Sequence, residues 1–229
     1  IPERGSWIEI IVTKKDLLAV RIDQSAKIAA TTFLRSMDAN YASNEAIIRT
    51  FYGDKIKNTK VAALKPEMYA VSDIVDEESG EVLVKGGAQI GDAVQRIQKS
   101  DIKSVAIIEQ VSDPLILNTM AEDGCSDYEG ALLKIYARLR PGNPPQKDKA
   151  EKLFQEKFFD ENRYRLGKVG RFRLNRKFEQ NVDESIMTLR VEDVINSLKY
   201  LMLLRSGESA YEVDDIDHLG NRRLRTIDE

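Results

Sequence analysis

Two kinds of hydrophobic pattern occupy different stretches of this chain, and their segregation is the feature that most constrains its fold. Short apolar runs bounded by turn residues occur near the start and again within residues 54–124, and such runs are typical of β-strands. Residues 27–52 and 125–205 instead carry apolar side chains at helical spacing. Strand and helix patterns that are segregated along a sequence indicate an α+β fold.

Turn and capping residues divide these stretches into elements. Strands are predicted as two hairpins, 7–12 with 17–22 and 71–75 with 81–84, and as a single strand at 103–109. Helices are predicted at 27–37, 43–52, 91–100, 126–140, 147–159 and 191–205. Ser43 is the expected N-cap of the second helix, and Ser126 with Glu129 matches a capping box. Residues 162–177 are predicted to form a basic loop or hairpin.

The charge balance limits the kinds of site that the chain can carry. Its net charge is -3, so any nucleic-acid site must be a local patch rather than the whole surface. No apolar run approaches the roughly 20 residues that a membrane span needs. The single cysteine, Cys125, excludes an internal disulfide, and with the single histidine, His218, it also excludes a structural zinc site.

A strongly basic stretch, residues 163–177, is the first candidate site. It contains seven basic residues and no acidic one, interleaved with Tyr164 and Phe172. Clustered guanidinium groups neutralise phosphates, and aromatic rings among them pack on sugars or bases. The alternative is a solvated surface loop whose charges pair with nearby carboxylates.

Two further candidates come from the ends of the chain. Asp214, Asp215 and Asp217 precede a basic run at 222–225, and this pattern fits an ion-pair network, a magnesium site, or an Asp–Arg grip on a guanine. Trp7, the only tryptophan, is either a core or rim residue or a platform that stacks on an unpaired base. Composition and motifs alone identify no enzyme.

Several ordered segments resemble the β subunit of bacterial RNA polymerase. The opening segment contains Pro-x-Arg-Gly-Ser-Trp, and Val-Arg-Ile-Asp follows it at 20–23. The other matching segments are 135–145, 158–164, 169–171 with 175–176, and 212–223. The matches cover about two thirds of the chain and span both ends, and the chain also starts without methionine, so we expect a piece of a longer subunit.

The resemblance implies a domain organisation. A helical lobe with an N-terminal β-hairpin is expected at 1–53 and 125–229, interrupted by a small β-rich module at 54–124. This module resembles the β-β′ modules that recur in the two large polymerase subunits, at a place where the family carries lineage-specific insertions. This module is either a docking surface for a transcription factor or an inert spacer, and the resemblance does not decide between the two.

The resemblance also implies the residues that contact DNA. Trp7 matches a tryptophan that stacks on a non-template base, and Arg140 and Arg163 match arginines near that strand. Ile216, Asp217 and Arg222 match a pocket for a flipped-out non-template guanine. A secondary basic patch is expected at Arg165, Arg171 and Arg173. Two departures are visible: Gln24-Ser25-Ala26 replaces most of a basic run of the family, and a further pocket arginine of the family would precede Ile1.

Catalysis is not expected within this stretch of the family. The resemblance implies a part of a DNA-directed RNA polymerase, a nucleotidyltransferase, whose catalytic Mg²⁺ is held by the β′ subunit; this chain lacks that motif and should hold no cofactor or metal itself. The implied partners are DNA, the β′, α and ω subunits and a sigma factor. A cytoplasmic, nucleoid-associated location follows, with no membrane contact.

Overall fold

The computed structural model describes residues 1–219 and 221, and these residues form the expected α+β fold. The strands are β1 Ile8–Val12, β2 Leu18–Ile22, β3 Ile28–Ala29, β4 Ile56–Lys60, β5 Tyr69–Ala70, β6 Ile74–Val75, β7 Val82–Val84 and β8 Ser104–Ile108. The α-helices are α1 Ala30–Met37, α2 Asn44–Tyr52, α3 Val94–Lys99, α4 Leu115–Asp123, α5 Tyr128–Leu139, α6 Lys147–Phe158, α7 Gly167–Lys177 and α8 Val191–Ser206. The prediction of fold class is therefore confirmed.

Both predicted hairpins are present. β1 and β2 pair antiparallel from Ile8 opposite Ile22 to Val12 opposite Leu18, and β3 extends this sheet on the other side of β2. β6 pairs antiparallel with β7. The predicted strand at 103–109 is β8, which lies between β4 and β5 in a third sheet.

All six predicted helices are present, as α1, α2, α3, α5, α6 and α8, with one correction to a cap. Ser43 caps α2 by accepting the backbone N–H of Ala46. The N-cap of α5 is Asp127 rather than Ser126, because the Asp127 carboxylate accepts the backbone N–H of Gly130. The helix therefore begins one residue later than a Ser126 cap would place it.

The prediction of a basic loop or hairpin at 162–177 is wrong for residues 167–177, which form helix α7. Two glycines and a low apolar content weaken the helical pattern there. The helix is held instead by Arg171, which donates to the Asp193 carboxylate at 2.7 Å and to two backbone carbonyl groups of the 186–188 segment. These contacts link residues far apart in sequence and override local propensity.

Two clusters of buried apolar side chains form the interior. The larger core joins the β1–β2–β3 sheet to the helices α1, α2, α4, α5, α6 and α8. A second core lies within residues 61–107, where Ile97, Ile107 and Met68 pack together. Helix α4, which the sequence pattern did not predict, contributes Leu115 and Ile116 to the larger core. A boundary of the inserted module at residue 124 stays a prediction.

None of the helices in the described part of the chain is both long enough and apolar enough to cross a membrane.

Candidate nucleic-acid interface

The N-terminal segment lies against the loop that follows α6. The backbones of Arg4 and Arg165 exchange two hydrogen bonds, at 3.1 and 2.8 Å. Gly5, which follows Arg4, has φ +120°, and a Cβ there would lie 2.8 Å from Cδ2 of Tyr164. Because Tyr164 is buried, only glycine allows the chain to pass this closely. The contact places the start of the chain beside Arg163.

A groove of about 320 Å³ opens at this junction and brings two of the predicted residues together. Arg140, at the C-terminal end of α5, lies on one wall, and Arg163 follows α6 on another. The remaining lining residues are Gly5, Ser6, Asp23, Leu153, Glu156 and Lys157. Trp7 follows directly on Ser6, so three of the six residues predicted to contact DNA lie at or next to one groove.

The cations of this groove differ in how far they are neutralised. Arg163 donates to Glu156 at 3.0 Å and lies 3.9 Å from Asp160. Lys157 donates to Asp23 at 3.3 Å. Arg140 is exposed, and its guanidinium forms no ion pair with any residue that the structure describes. Arg140 is therefore the cation of the groove that is most available to an anion from outside.

Trp7 presents its side chain to solvent while its backbone is fixed. The residue is 47% exposed, which places it at the rim rather than in the core. The backbone N–H of Trp7 donates to the Asp23 carboxylate at 2.9 Å, and the backbone carbonyl oxygen of Trp7 accepts the backbone N–H of Asp23 at 3.0 Å. A fixed, half-exposed indole is suited to stacking on a planar ring, and the stacking role stays a prediction.

Asp23 remains ionised against the effect of partial burial. Burial would raise its pKa, but hydrogen bonds from Ser6, Trp7 and Lys157, together with the positive charge of Lys157, lower the pKa below the ordinary aspartate value. Sequence reasoning missed both Asp23 and Lys157 as groove residues. The only local signal for Asp23 is an aspartate at the end of a strand, which is typical of a turn.

The secondary basic patch is only partly a surface feature. Arg165 pairs with Glu3 at 3.2 Å and keeps 41% of its side chain exposed, and Arg173 is exposed and donates to Asn221. Arg171 is a correction: its guanidinium is wholly buried and pairs with Asp193. A cation whose donors are used inside the protein is not available to DNA phosphates, so we remove Arg171 from the candidate interface.

The C-terminal segment carries the predicted guanine pocket, of which only part is described. Ile216 is 77% exposed, and the backbone N–H of Asp217 donates to Asp215 at 3.0 Å. Asp214 pairs with Lys177 of α7, a residue outside the segment, and the pairing expected between Asp217 and the basic run at 222–225 stays a prediction. Arg222 lies outside the described residues. Neither Ile216 nor Asp217 is among the residues that line the groove.

Within residues 1–219 and 221, no group of three or more histidine, cysteine, aspartate or glutamate side chains is arranged to hold a metal ion.

A comparison with models of protein families matches residues 90–225 to the family described as RNA polymerase Rpb2, domain 2. The matched part contains Arg140, Arg163, Ile216, Asp217 and Arg222. Trp7 lies before it.

Curated relatives match the chain over its full length. It is similar to proteins named DNA-directed RNA polymerase subunit beta from Rhodopirellula baltica, with 52% identity, Protochlamydia amoebophila, with 40%, and Leptospira biflexa, with 35%. Each match covers 100% of this chain, but only 19%, 19% and 20% of the respective relative. The chain therefore spans about a fifth of the length of the curated relatives that it matches.

Proposed function

The chain belongs to the RNA polymerase Rpb2 domain 2 family, and we propose that it holds the non-template DNA strand for a DNA-directed RNA polymerase. In this proposal Trp7 stacks on an unpaired base, and Arg140 and Arg163 contact the phosphates beside it. Ile216, Asp217 and Arg222 receive a guanine that is turned out of the strand. The carrying observation is the groove that brings Arg140 and Arg163 together next to the Trp7 segment.

The chemistry of the groove suits single-stranded DNA. Proteins bind unpaired strands by combining cations that follow the phosphates with aromatic rings that stack on the bases. Arg140 can donate to a phosphate without giving up a carboxylate of the described chain, whereas Arg163 must release Glu156 to do so. The groove therefore favours a weak, salt-sensitive contact that becomes effective when the rest of the polymerase holds the DNA in place.

RNA bond formation is assigned to other parts of the enzyme. We propose that the β′ subunit binds the catalytic Mg²⁺ and that this chain supplies no catalytic residue. The same proposal makes the chain a part of an assembly with β′, α, ω and a sigma factor in the nucleoid. Docking of a transcription factor on residues 54–124 stays a prediction.

The paired substitution Arg140→Ala and Arg163→Ala tests the phosphate contacts. In the intact polymerase, the double variant should weaken the hold on a promoter with an unpaired non-template strand. The slope of log affinity against log salt is negative, and each lost phosphate contact should lower its magnitude by about 0.7. The measurement is a salt titration of polymerase–promoter affinity, in which binding is detected by the fluorescence of a labelled non-template strand.

Two matched variants make this result specific. Arg138→Ala removes an exposed arginine of the same helix that does not line the groove, and it should leave the slope unchanged. Glu156→Gln frees Arg163 from its carboxylate and should strengthen binding. A double variant with the same salt slope as the unmodified enzyme would remove both arginines from the proposed interface.

A further inference from the structure

The turn that joins β2 to β3 has an unusual backbone. Asp23 and Gln24 both have positive φ, at 47° and 61°, and the N–H of Ser25 donates to the carbonyl of Ile22 at 2.9 Å. This is the pattern of a type I′ turn, in which glycine and asparagine are preferred at the two central positions. Aspartate tolerates the left-handed region because its short side chain bonds locally, whereas glutamine gains no such compensation.

The left-handed backbone conformation of Asp23 changes which of its groups accepts the backbone N–H of Trp7. In a hydrogen-bonded pair of a regular antiparallel ladder, the two opposite residues exchange N–H to carbonyl bonds in both directions. Here the Asp23 N–H donates to the Trp7 carbonyl, but the Trp7 N–H donates to the Asp23 carboxylate. The side chain of Asp23 thus takes the place of its own carbonyl, and the ladder of β1 and β2 continues by one residue to hold Trp7.

The second carboxylate oxygen of Asp23 links Trp7 to the helix that carries the groove wall. Lys157 of α6 donates to this oxygen at 3.3 Å. The neighbouring residue on α6, Glu156, accepts from Arg163. Trp7 and Arg163 are therefore connected to adjacent residues of one helix, so Asp23 adds a second link between them beside the Arg4–Arg165 backbone bonds.

We infer that Asp23 is a positioning residue that fixes the backbone of Trp7 and thereby the position of its indole relative to the groove. It acts through Trp7 and Lys157 and needs no contact with DNA. The role in DNA binding rests on the proposed function, but the fixing of Trp7 is a property of the chain alone. The alternative is that Asp23 stabilises only the turn in which it lies.

The fluorescence of the chain tests the positioning directly, because Trp7 is the only tryptophan of the 229 residues. Asp23→Ala removes the acceptor for the backbone N–H of Trp7 and the partner of Lys157, so acrylamide should quench the fluorescence of Trp7 more strongly. The increase should be moderate because Trp7 is already 47% exposed. Asp23→Asn keeps an acceptor oxygen and tolerates positive φ, so it should preserve most of the protection.

The neighbouring position supplies the control. Gln24→Gly changes the other left-handed residue of the same turn and should leave the quenching constant unchanged. Circular dichroism during thermal unfolding shows whether each variant remains folded at the temperature of the quenching measurement. An Asp23→Ala variant that is folded and quenched like the unmodified chain would overturn the positioning role.

A double-mutant cycle in the intact polymerase tests the link to DNA. Asp23→Ala should weaken binding to an unpaired non-template strand several-fold when Trp7 is present and should add nothing to Trp7→Ala. Additive losses would show that Asp23 acts independently of Trp7 and would overturn the inference. If Trp7→Ala itself left DNA binding unchanged, the proposed function of Trp7 would fail, and the quenching result alone would decide the positioning.

Discussion

Asp123→Ala should destabilise the chain by about 3–5 kcal/mol, because it leaves a buried guanidinium without its partner. The carboxylate of Asp123 accepts from Nε of Arg35 at 3.0 Å, and both side chains are fully buried. It also accepts from the hydroxyl groups of Thr31, at 2.6 Å, and Thr32. Urea unfolding, extrapolated linearly to water, measures the free energy of unfolding of the unmodified chain and of the Asp123→Ala variant.

An exposed ion pair provides the matched control for this prediction. Glu45→Ala breaks the pair with Arg49 on the surface of α2 and should cost less than about 1 kcal/mol. Adding Arg35→Met to Asp123→Ala should recover part of the loss, because it removes the unpaired buried charge. A cost for Asp123→Ala as small as that of Glu45→Ala would mean that the carboxylate does not stabilise the fold.

This network also shows where prediction from the sequence stops. Arg35 and Asp123 lie 88 residues apart, and neither periodicity nor capping signals indicate that they meet. The hairpin β1–β2 and the helix capped by Ser43 were predictable because turn residues and caps act within a few positions. Helices α4 and α7 were not predicted, since burial against distant segments holds them rather than a local pattern.

The candidate interface was predictable to a similar degree. Composition marked residues 163–177 as basic, but composition does not separate the buried Arg171 from the exposed Arg173. The family resemblance supplied Trp7, Arg140 and Arg163 as separate residues, and the structure adds the groove around which they lie. Asp23 and Lys157 came from the structure alone, because their importance depends on a contact between elements 134 residues apart.

Trp7→Ala in the intact polymerase should weaken the hold on an unpaired non-template base by about 1–3 kcal/mol, or about 5- to 150-fold. The ring is half exposed, so its loss removes a stacking surface without opening a cavity in the core. The lifetime of the open promoter complex, measured by competitor challenge, should shorten by a corresponding factor if stacking is formed only in that complex. Trp7→Phe keeps an aromatic face and should retain most of the lifetime.

The matched control is a second exposed apolar residue, which lies in the β6–β7 hairpin. Val82 on β7 is 43% exposed, close to the value for Trp7, and it lies outside the residues that line the groove. Val82→Ala therefore removes exposed apolar area away from the groove, and it should leave the lifetime of the open complex nearly unchanged. Equal effects of the two substitutions would assign the loss to general surface changes and would remove Trp7 from the interface. A large loss for Trp7→Ala alone would locate the unpaired strand beside the start of β1, where Asp23 fixes the tryptophan backbone.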